Sequence, residues 1–305
     1  MIETVLSGIR IVLVEPAGPL NVGAIARIMK NMGLQRLVLV NPQCDPLGAE
    51  ARQMAVHAAD VLETAQQVAS LPDALRGCYR ALATTGRDRT TLDITLEDPR
   101  TALPWLLSSG NSPNNTPDNS THAFTAIPVE SALIFGREDR GLTNEELNYA
   151  QRFIRIPSTS IYPSLNLAQA VAICCYELHL YVIEGRGQEA EDRSSAPHTP
   201  YLIPDTLFRS QESGVRSQES GVTQYPTPNT QHASLDRLEG YYQQLESLLL
   251  KIGYLYPHTA SSRMEKFRRL FNRTYLSDTE VSMLRGILSQ VEWALKTSET
   301  RTDDS

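Results

Sequence analysis

The sequence predicts an α/β protein with a parallel β-sheet, followed by a smaller all-α unit. Two β-branched apolar runs, residues 9–14 and 37–40, are typical of strands buried on both faces of a sheet. The segment between them, residues 21–33, has apolar side chains at helical spacing and ends on a glycine. This β-α-β order predicts parallel strands joined by a right-handed crossover. Beyond residue 234 the apolar patterns are helical, which predicts the all-α unit.

Length and composition limit the class of protein. The chain has 305 residues, enough for two domains, with 41% hydrophobic and 21% charged residues. The net charge of −7 gives no overall basic signal, so nucleic-acid binding would have to come from local patches. The first residues do not resemble a secretory signal, and no uninterrupted apolar run approaches the ~18 residues that span a bilayer. We therefore expect a cytoplasmic protein without a membrane partner.

The cysteines predict no metal site. Cys44, Cys78, Cys174 and Cys175 lack the spacing of metal ligands, and the last two are adjacent within an apolar helical pattern. Small apolar thiols of this kind usually fill a protein core. We expect a protein that requires no metal.

The predicted sheet continues after the first β-α-β unit, and one of its strands ends in residues suited to a ligand. Thr84, Thr85 and Gly86 follow a strand, and small hydroxyl residues with a glycine can hold a ligand at the carboxyl edge of a parallel sheet. The same residues could form a plain turn. The patterns predict helices at residues 48–68 and 71–77 and strands at residues 79–84, 132–135 and 153–156.

Two loops near the end of the sheet lead into helices. Gly136 opens a charged loop, and Thr143 with Glu146 three residues later forms a capping-box pattern that predicts a helix start. Such a loop can cradle an anion or turn a corner. At residues 156–178 a loop with two prolines leads into an apolar helix, and Ser164 and Asn166 lie at the junction, where such residues normally cap a helix.

Two polar segments divide the chain. Residues 108–122 are rich in Asn, Ser and Pro, which predicts an exposed insertion. Residues 185–233 form a low-complexity linker, in which Arg-Ser-Gln-Glu-Ser-Gly-Val at 209–215 is repeated unchanged at 216–222. We expect disorder in this linker. The predicted units are a domain at residues 1–184, a helical extension at 234–296 and a fraying tail at 297–305.

One helix of the extension, residues 263–273, is strongly basic. It carries five cations against a single Glu265 in an otherwise acidic protein. Such a face is commonly solvated, but it also suits the phosphate backbone of a nucleic acid. The five candidate RNA-binding cations are Arg263, Lys266, Arg268, Arg269 and Arg273.

Three motifs occur together and in order. They are Asn21-x-Gly-Ala-x-Ala-Arg27, Ile134-Phe-Gly-Arg-Glu-x-x-Gly-Leu-Thr-Asn-Glu-Glu-Leu147 and Ser164-Leu-Asn-Leu-Ala168. This ordered set resembles the SpoU (TrmH) branch of the SPOUT family of RNA 2′-O-ribose methyltransferases. The C-terminal helices, with Phe-Arg-Arg-Leu-Phe at 267–271, are similar to the helical extension of the TrmJ family of tRNA methyltransferases. The resemblance covers residues 8–183 and 234–292.

The resemblance implies features that spacing alone does not give. SPOUT domains thread their C-terminal segment into a deep trefoil knot, bind S-adenosylmethionine within it and act as homodimers. Gly136 is expected to let the main chain approach the cofactor, where a Cβ would obstruct it. The cofactor-binding residues implied are Thr84, Thr85, Gly86, Gly136, Ile156, Ser164, Leu165 and Asn166.

The resemblance also implies the catalytic residues. Arg27 is placed beside the ribose hydroxyl that accepts the methyl group, with Asn21 and Glu138 supporting it and Ser164 near the acceptor. A guanidinium keeps its proton in proteins, so we expect Arg27 to bind the target phosphate and stabilise the developing oxyanion rather than act as a base. The alternative for Arg27 is a surface ion pair with Glu15 or Glu138.

The function implied is methylation of the ribose 2′-OH of a cytidine or uridine in the tRNA anticodon loop, at nucleotide 32. Two alternatives stay open, namely methylation of ribosomal RNA and a non-catalytic RNA-binding protein of the same fold. The intact set of Asn21, Arg27, Ser164 and Asn166 argues against the second alternative. Base preference, the purpose of the repeat and the choice between hydroxyl and main chain at Ser164 are open.

Overall fold

The computed structural model of the chain describes residues 2–86, 94–108, 129–159, 161, 163–194 and 232–302. Within them lies a seven-stranded sheet whose paired strands all run parallel. The strands are β1 (Ile9–Val14), β2 (Arg36–Val40), β3 (Gln66–Val68), β4 (Arg80–Thr84), β5 (Leu96–Glu97), β6 (Ser131–Phe135) and β7 (Arg152–Ile154). Their order across the sheet is β3-β2-β1-β6-β4-β7-β5. The parallel α/β class predicted from the sequence is confirmed.

β1 is buried on both sides, as its uninterrupted apolar sequence predicts. Val12 aligns with Val38 of β2 and with Ile134 of β6. Successive side chains of a strand point to opposite faces. Ile11 and Leu13 accordingly pack in one apolar cluster, while Val12 packs in the other. Both faces of the sheet therefore need a layer of helices.

Different helices cover the two faces of the sheet. They are α1 (Ile2–Leu6), α2 (Pro19–Asn31), α3 (Ala49–Ala55), α4 (Ala59–Glu63), α5 (Leu71–Ala74), α6 (Pro99–Ala102), α7 (Asn144–Leu147), α8 (Leu167–Ser194), α9 (Leu235–Lys251), α10 (Ala260–Asn272) and α11 (Asp278–Thr302). The core with Ile11 holds buried residues of α1 to α4, α6 and α8. The core with Val12 holds those of α5, α7 and the three C-terminal helices.

The C-terminal helices share this core with the sheet. The N–H of Leu235, at the start of α9, donates to the carbonyl of Cys78 beside β4 at 2.8 Å. At the end of α10, Asn272 donates through Nδ2 to the carbonyl of Asn148 after α7 at 3.2 Å. The Tyr242 hydroxyl donates to Asn272 Oδ1 at 2.8 Å and holds this side chain in place. The helical unit is therefore anchored to the sheet domain at one end of the α9–α10 hairpin.

Some predicted boundaries are wrong. The helix expected at residues 48–68 ends at Val56, whose φ is +55°, and residues 66–68 form the edge strand β3. The apolar spacing hid the break, because buried Ala55 and Ala58 lie on either side of it and face the same core. α8 extends to Ser194, into the predicted linker, and α11 extends to Thr302, into the predicted tail. The predicted insertion and the repeat fall mostly outside the described residues.

α8 is both long and apolar. Its first part, Leu167–Gly185, is long and apolar enough to cross a membrane by length and composition alone. It is not an uninterrupted apolar run, because Gln169, Glu177 and Glu184 lie within it. Val171, Cys174, Cys175 and Leu178 of this helix are fully buried against α2 and the sheet. Core packing explains its composition, and the absence of a membrane partner stays a prediction.

Candidate active site

A cleft opens at the carboxyl ends of β4, β6 and β7, where the main chain leaves the sheet. Its volume is about 390 Å³, within the range of small-molecule sites. Apolar Ile154, Ile156 and Leu167 line it together with charged side chains of the loop after β6. Ligands of parallel α/β sheets bind at this edge, which makes the cleft the candidate active site.

Seven of the eight residues predicted for the cofactor pocket line this cleft. The hydroxyl of Thr84 is already engaged, because it donates to the carbonyl of Ile134 at 3.1 Å and ties β4 to β6. Ser164 is exposed, and its hydroxyl makes no hydrogen bond within the part of the chain that is described. That hydroxyl is therefore available to a ligand. The seven lining residues are Thr84, Thr85, Gly86, Gly136, Ile156, Ser164 and Leu165.

Asn166, the eighth residue, lies beside the cleft and caps α8. Its Oδ1 accepts hydrogen bonds from the N–H groups of Ala168 at 2.9 Å and Gln169 at 3.4 Å, as an N-cap side chain does. Its Nδ2 donates to Asn21 Oδ1 at 3.0 Å. The capping role expected at this junction is therefore seen for Asn166, and the same side chain connects α8 to the first motif on α2.

Asn21 also connects to Glu138, which joins all three sequence motifs. Asn21 Nδ2 donates to Glu138 Oε1 at 3.1 Å. The N–H of Gly18 donates to the same oxygen at 3.0 Å, and the N–H of Ala17 donates to Oε2 at 3.1 Å. The chain of contacts Glu138, Asn21, Asn166 thus fixes the loop after β6, the start of α2 and the start of α8 relative to one another.

These contacts decide the charge state of Glu138. Burial raises the pKa of this carboxyl, but the hydrogen bonds from Asn21 and from the main chain of Ala17 and Gly18 outweigh burial and leave its pKa below the ordinary value. Glu138 is therefore an ionised acceptor at neutral pH, with both oxygens engaged. This suits a residue that orients Asn21 better than one that removes a substrate proton.

Arg27 lies on the same helix as Asn21, six residues on, which is about 9 Å along the axis. Its side chain is exposed and forms no hydrogen bond or ion pair with any described residue. The ion pair weighed as an alternative is not seen, because Glu138 is held as above and Glu15 contacts Arg137 and Arg140 instead. Arg27 does not line the cleft itself, and its guanidinium is uncommitted.

Unlike Arg27, Arg137 is held by ion pairs, and the sequence did not predict its role. Its Nη1 and Nη2 donate to the two oxygens of Glu146 at 2.9 Å each, and its Nε donates to Glu15. Only 10% of the Arg137 side chain is exposed. Hydrogen bonds to both carboxylates raise the pKa of Arg137, and the Arg137 hydrogen bond lowers the pKa of Glu15 to about 2. One sign of this role was present in the sequence, namely Glu146 in the predicted capping box. The structure confirms that capping box.

The tight turn after β6 gives Gly136 a different purpose from the one expected. A Cβ at Gly136 would lie 2.2 Å from the main-chain carbon of Gly141 and the nitrogen of Leu142. The N–H of Gly141 donates to the carbonyl of Arg137 at 2.9 Å and closes this turn. Gly136 is therefore required by contact within the loop, and close approach to a cofactor is not needed to explain it.

A matching family model identifies the family to which this fold belongs. Residues 8–176 match the SpoU rRNA Methylase family, and this range contains the cleft and all three motifs. The chain belongs to the SpoU methylase family. A second model, the C-terminal domain of the tRNA methyltransferase TrmJ, matches residues 236–303. The resemblance inferred from the motifs is confirmed in both parts of the chain.

Similar SpoU proteins span nearly the whole chain. The tRNA (cytidine/uridine/adenosine-2′-O-)-methyltransferase TrmJ of Pseudomonas aeruginosa is 36% identical over 304 residues, which are 98% of this chain and 100% of that protein. The crystal structure of TrmJ from Z. mobilis ZM4 matches with a TM-score of 0.66 at 24% identity and covers 93% and 98% of the two chains. A probable methylase family protein of Haemophilus influenzae matches with a TM-score of 0.51 at 27% identity, covering 96% and 99%.

The basic helix of this SpoU protein, α10, presents only part of its charge to solvent. Arg263, Lys266 and Arg273 are exposed. Arg269 is half-buried and contacts Glu265 at 3.3 Å. A role of these exposed cations in RNA binding therefore remains a proposal.

Arg268 differs from the other cations, and its predicted RNA contact is corrected. Its side chain is 14% exposed and donates to both oxygens of Glu239 on α9, at 2.5 and 2.8 Å. The guanidinium also lies 4.6 Å from the ring centre of Tyr242 and 5.3 Å from that of Tyr149, which follows α7. Helical spacing could not show the carboxylate on a neighbouring helix. Arg268 therefore joins the C-terminal helices to the sheet domain.

Proposed function

We propose that this SpoU protein transfers a methyl group from S-adenosylmethionine to the ribose 2′-OH of a cytidine or uridine in the tRNA anticodon loop, at nucleotide 32. The observation that carries the proposal is an uncommitted Arg27 on the same helix as Asn21, whose amide is fixed to the cleft by Glu138 and Asn166. The Pseudomonas aeruginosa relative, named as a tRNA (cytidine/uridine/adenosine-2′-O-)-methyltransferase, aligns over 98% of the chain.

The cleft fits the proposed cofactor. Its volume of about 390 Å³ suits a molecule of that size, and the apolar side chains of Ile154, Ile156 and Leu165 can cover an adenine ring. The main chain at residues 84–86 and 163–165 offers hydrogen-bonding groups for the polar edges of that ring. When bound, S-adenosylmethionine supplies an electrophilic methyl group on sulfur. The residues of this chain must then align the acceptor oxygen and stabilise its developing charge.

Arg27 has the properties needed for that stabilisation. A guanidinium keeps its proton, so Arg27 donates hydrogen bonds and does not act as the base. Its planar fork can bind a phosphate oxygen and the ribose oxygen of one nucleotide at the same time. Because no carboxylate among the described residues holds this side chain, RNA does not have to displace one. We assign Ser164, which is exposed at the cleft, to a contact with the acceptor ribose.

The proposal includes a homodimer, a knotted C-terminal segment and a cytoplasmic location. On α8, Tyr176 and Ile183 are 49% and 44% exposed, and Leu20 on the neighbouring α2 is 49% exposed. Exposed apolar side chains on two neighbouring helices suit contact with a second copy of the chain. Sedimentation should give a dimer for the wild type and a monomer for Tyr176→Glu. A wild-type monomer would contradict this part of the proposal.

Ribosomal RNA is the second candidate substrate. It is favoured by the description of the matching family, which names rRNA, whereas the match of residues 236–303 to the TrmJ C-terminal domain favours tRNA. Competition between total tRNA and ribosomal RNA for labelled methyl groups separates them. We expect label in tRNA, and label confined to ribosomal RNA would overturn the tRNA assignment.

A cofactor titration tests the proposed use of S-adenosylmethionine. Calorimetry of the full chain with S-adenosylmethionine should give saturable binding, and Leu165→Asp, which places a charge in the apolar cleft, should abolish it. Ile161→Asp is a matched control, because Ile161 is 92% exposed and does not line the cleft. Absence of binding to the wild-type chain would favour the non-catalytic RNA-binding alternative.

A further inference from the structure

The tip of the α9–α10 hairpin, residues 252–259, presents two tyrosine rings to solvent. Tyr254 is 54% exposed and Tyr256 is 55% exposed, while Leu255 between them is 1% exposed. Large aromatic side chains are usually more covered than this on a protein surface. The alternation of outward tyrosines around one inward leucine makes the hairpin tip a two-ring surface.

The main chain of the hairpin tip is well anchored. Gly253 ends α9 with a φ of +73°, a conformation that favours glycine. The N–H of Leu255 then donates to the carbonyl of Leu249 at 3.0 Å, and the N–H of Thr259 donates to that of Tyr256 at 2.9 Å. The two tyrosines are therefore exposed on an ordered turn, and their exposure does not come from a loose loop.

Positive charge adjoins the Tyr254 ring, and the chain around it carries no acid before Glu265. Arg263 donates through Nη1 to the carbonyl of Tyr254 at 2.9 Å, and its guanidinium carbon lies 5.8 Å from the Tyr254 ring centre. No Asp or Glu occurs between Glu246 and Glu265. Arg263 forms no ion pair with any described residue, and Lys266 follows on the same helix. The hairpin tip thus combines flat aromatic surface with charge complementary to phosphate.

A second exposed apolar surface in the C-terminal unit lacks this combination. On α11, Met283, Ile287 and Trp293 are 59%, 54% and 60% exposed. Glu280 and Glu292 flank this surface on the same helix, and Arg285 within it donates through Nε to Gln244 Oε1 at 3.3 Å. Acid beside an apolar ring repels phosphate, so Trp293, which follows Glu292, provides a control for the hairpin tip.

We propose that the hairpin tip is a stacking site for an unpaired nucleotide of the RNA substrate, with Tyr254 and Tyr256 contacting bases and Arg263 contacting the adjacent phosphate. This inference rests on the proposed function for the identity of the RNA. The 17 residues of α9 place the tip about 25 Å from the anchor at Leu235. The tip therefore binds RNA away from the point where the helices join the sheet domain.

The test removes the rings and then restores them. Tyr254→Ala with Tyr256→Ala should weaken binding of an unmodified tRNA transcript about 5- to 150-fold, the range for loss of base–aromatic stacking. Tyr254→Phe with Tyr256→Phe should bind within about twofold of wild type, because stacking requires the ring and not the hydroxyl. Fluorescence anisotropy with the full-length protein measures both. In methylation assays the alanine pair should raise KM for tRNA far more than it lowers kcat.

Trp293→Ala is the control and should leave tRNA affinity unchanged. The proposal is overturned if the alanine pair binds tRNA as wild type does, or if the phenylalanine pair is as weak as the alanine pair. It is also overturned if the alanine pair dissociates a dimer in sedimentation without weakening RNA binding, which would indicate a protein interface. Binding is measured without turnover, so a wild-type chain that binds tRNA but does not methylate it would overturn the proposed function alone.

Discussion

Arg27 shares a helix with Asn21 and Arg137 precedes Glu138 in the chain, but the two arginines differ in burial and in their partners. Arg137 is 10% exposed and is held by Glu15 and Glu146. Arg27 is exposed and has no partner among the described residues. Both belong to motifs of the same family, so the sequence alone does not separate them. Their partners in the structure separate them, because a paired guanidinium stabilises the protein and an unpaired one remains available to the substrate.

The energetic difference follows from burial. Removing one partner of a buried ion pair leaves an uncompensated charge behind and is costly. An exposed arginine without a partner contributes little to stability, but its fork can bind a phosphate through two hydrogen bonds. Substitution of Arg137 should therefore change stability first, and substitution of Arg27 should change turnover alone.

The largest effect is expected from Arg137→Ala. It leaves Glu146 without its cation and Glu15 with only the exposed Arg140, which should cost about 3–5 kcal/mol of unfolding free energy. Cofactor affinity should fall as well, because the loop after β6 lines the cleft. Urea unfolding and cofactor titration measure the two effects.

Arg140→Ala is the matched control for that substitution. Arg140 contacts the same carboxylate at 3.4 Å, but its side chain is 58% exposed. Exposed pairs contribute only about 0–1 kcal/mol. Equal unfolding curves for Arg137→Ala and wild type would contradict the supporting role of Arg137.

The next largest effect is expected from Arg27→Ala. Loss of a donor to a developing oxyanion typically lowers turnover about 10²- to 10³-fold. Unfolding free energy and cofactor affinity should stay at wild-type values, because Arg27 contacts neither a described residue nor the cleft. Single-turnover methylation of tRNA at saturating cofactor measures the loss.

Lys30→Ala on the same helix should retain full turnover, since Lys30 contacts Asp60 on α4 at 2.7 Å. Arg27→Lys separates charge from geometry. It keeps the positive charge but loses the planar fork, and we expect it to remain strongly impaired. Near-normal turnover in Arg27→Lys would contradict the role proposed for the fork.

A smaller effect is expected from Glu138→Gln. An amide keeps the shape of the side chain, but its NH₂ group faces the N–H of Ala17 or Gly18 and cannot accept from it. Hydrogen bonds to a charged group contribute about 1.5–3 kcal/mol, so turnover should fall roughly 10- to 100-fold as Asn21 loses its orientation. The kinetics of Glu145→Gln, an exposed neighbour, should match wild type. A fully active Glu138→Gln would remove Glu138 from the site.

The smallest effect is the pH dependence of the Arg137 pair. The pKa of Glu15 is about 2 in the folded protein, against an ordinary value of 4.5. A lowered carboxyl pKa stabilises the fold above pH 4.5, and the contribution is lost as pH falls towards 2. The unfolding free energy of wild type should therefore drop more steeply over this range than that of Glu15→Gln. Parallel curves would show that Glu15 does not support the fold through its charge.

The sequence predicted much of the sheet and of the cleft because both depend on local patterns. Apolar runs located β1, β2, β4 and β6, and the capping box at Thr143 placed the start of α7. Carboxyl ends of parallel strands meet at one edge, so residues that followed separate strands came together in the cleft. Their contact with a cofactor stays a prediction.

The rest could not be predicted because it depends on residues far apart in the chain. Arg137 and Glu15 are separated by 122 positions, and Arg268 and Glu239 by 29. Helical spacing placed Arg268 on a basic face, but only tertiary packing shows that Glu239 and two tyrosine rings cover it. The exposure of the hairpin-tip tyrosines likewise depends on tertiary packing.

Nucleoside mass spectrometry of tRNA tests the central claim most directly. Unmodified tRNA is incubated with the full chain and S-adenosylmethionine, cut into fragments and digested to nucleosides. The account predicts 2′-O-methylcytidine or 2′-O-methyluridine in the anticodon-loop fragment with the wild-type chain and a trace at most with Arg27→Ala. Methyl groups on a base, or equal 2′-O-methylation by the wild type and Arg27→Ala, would contradict it.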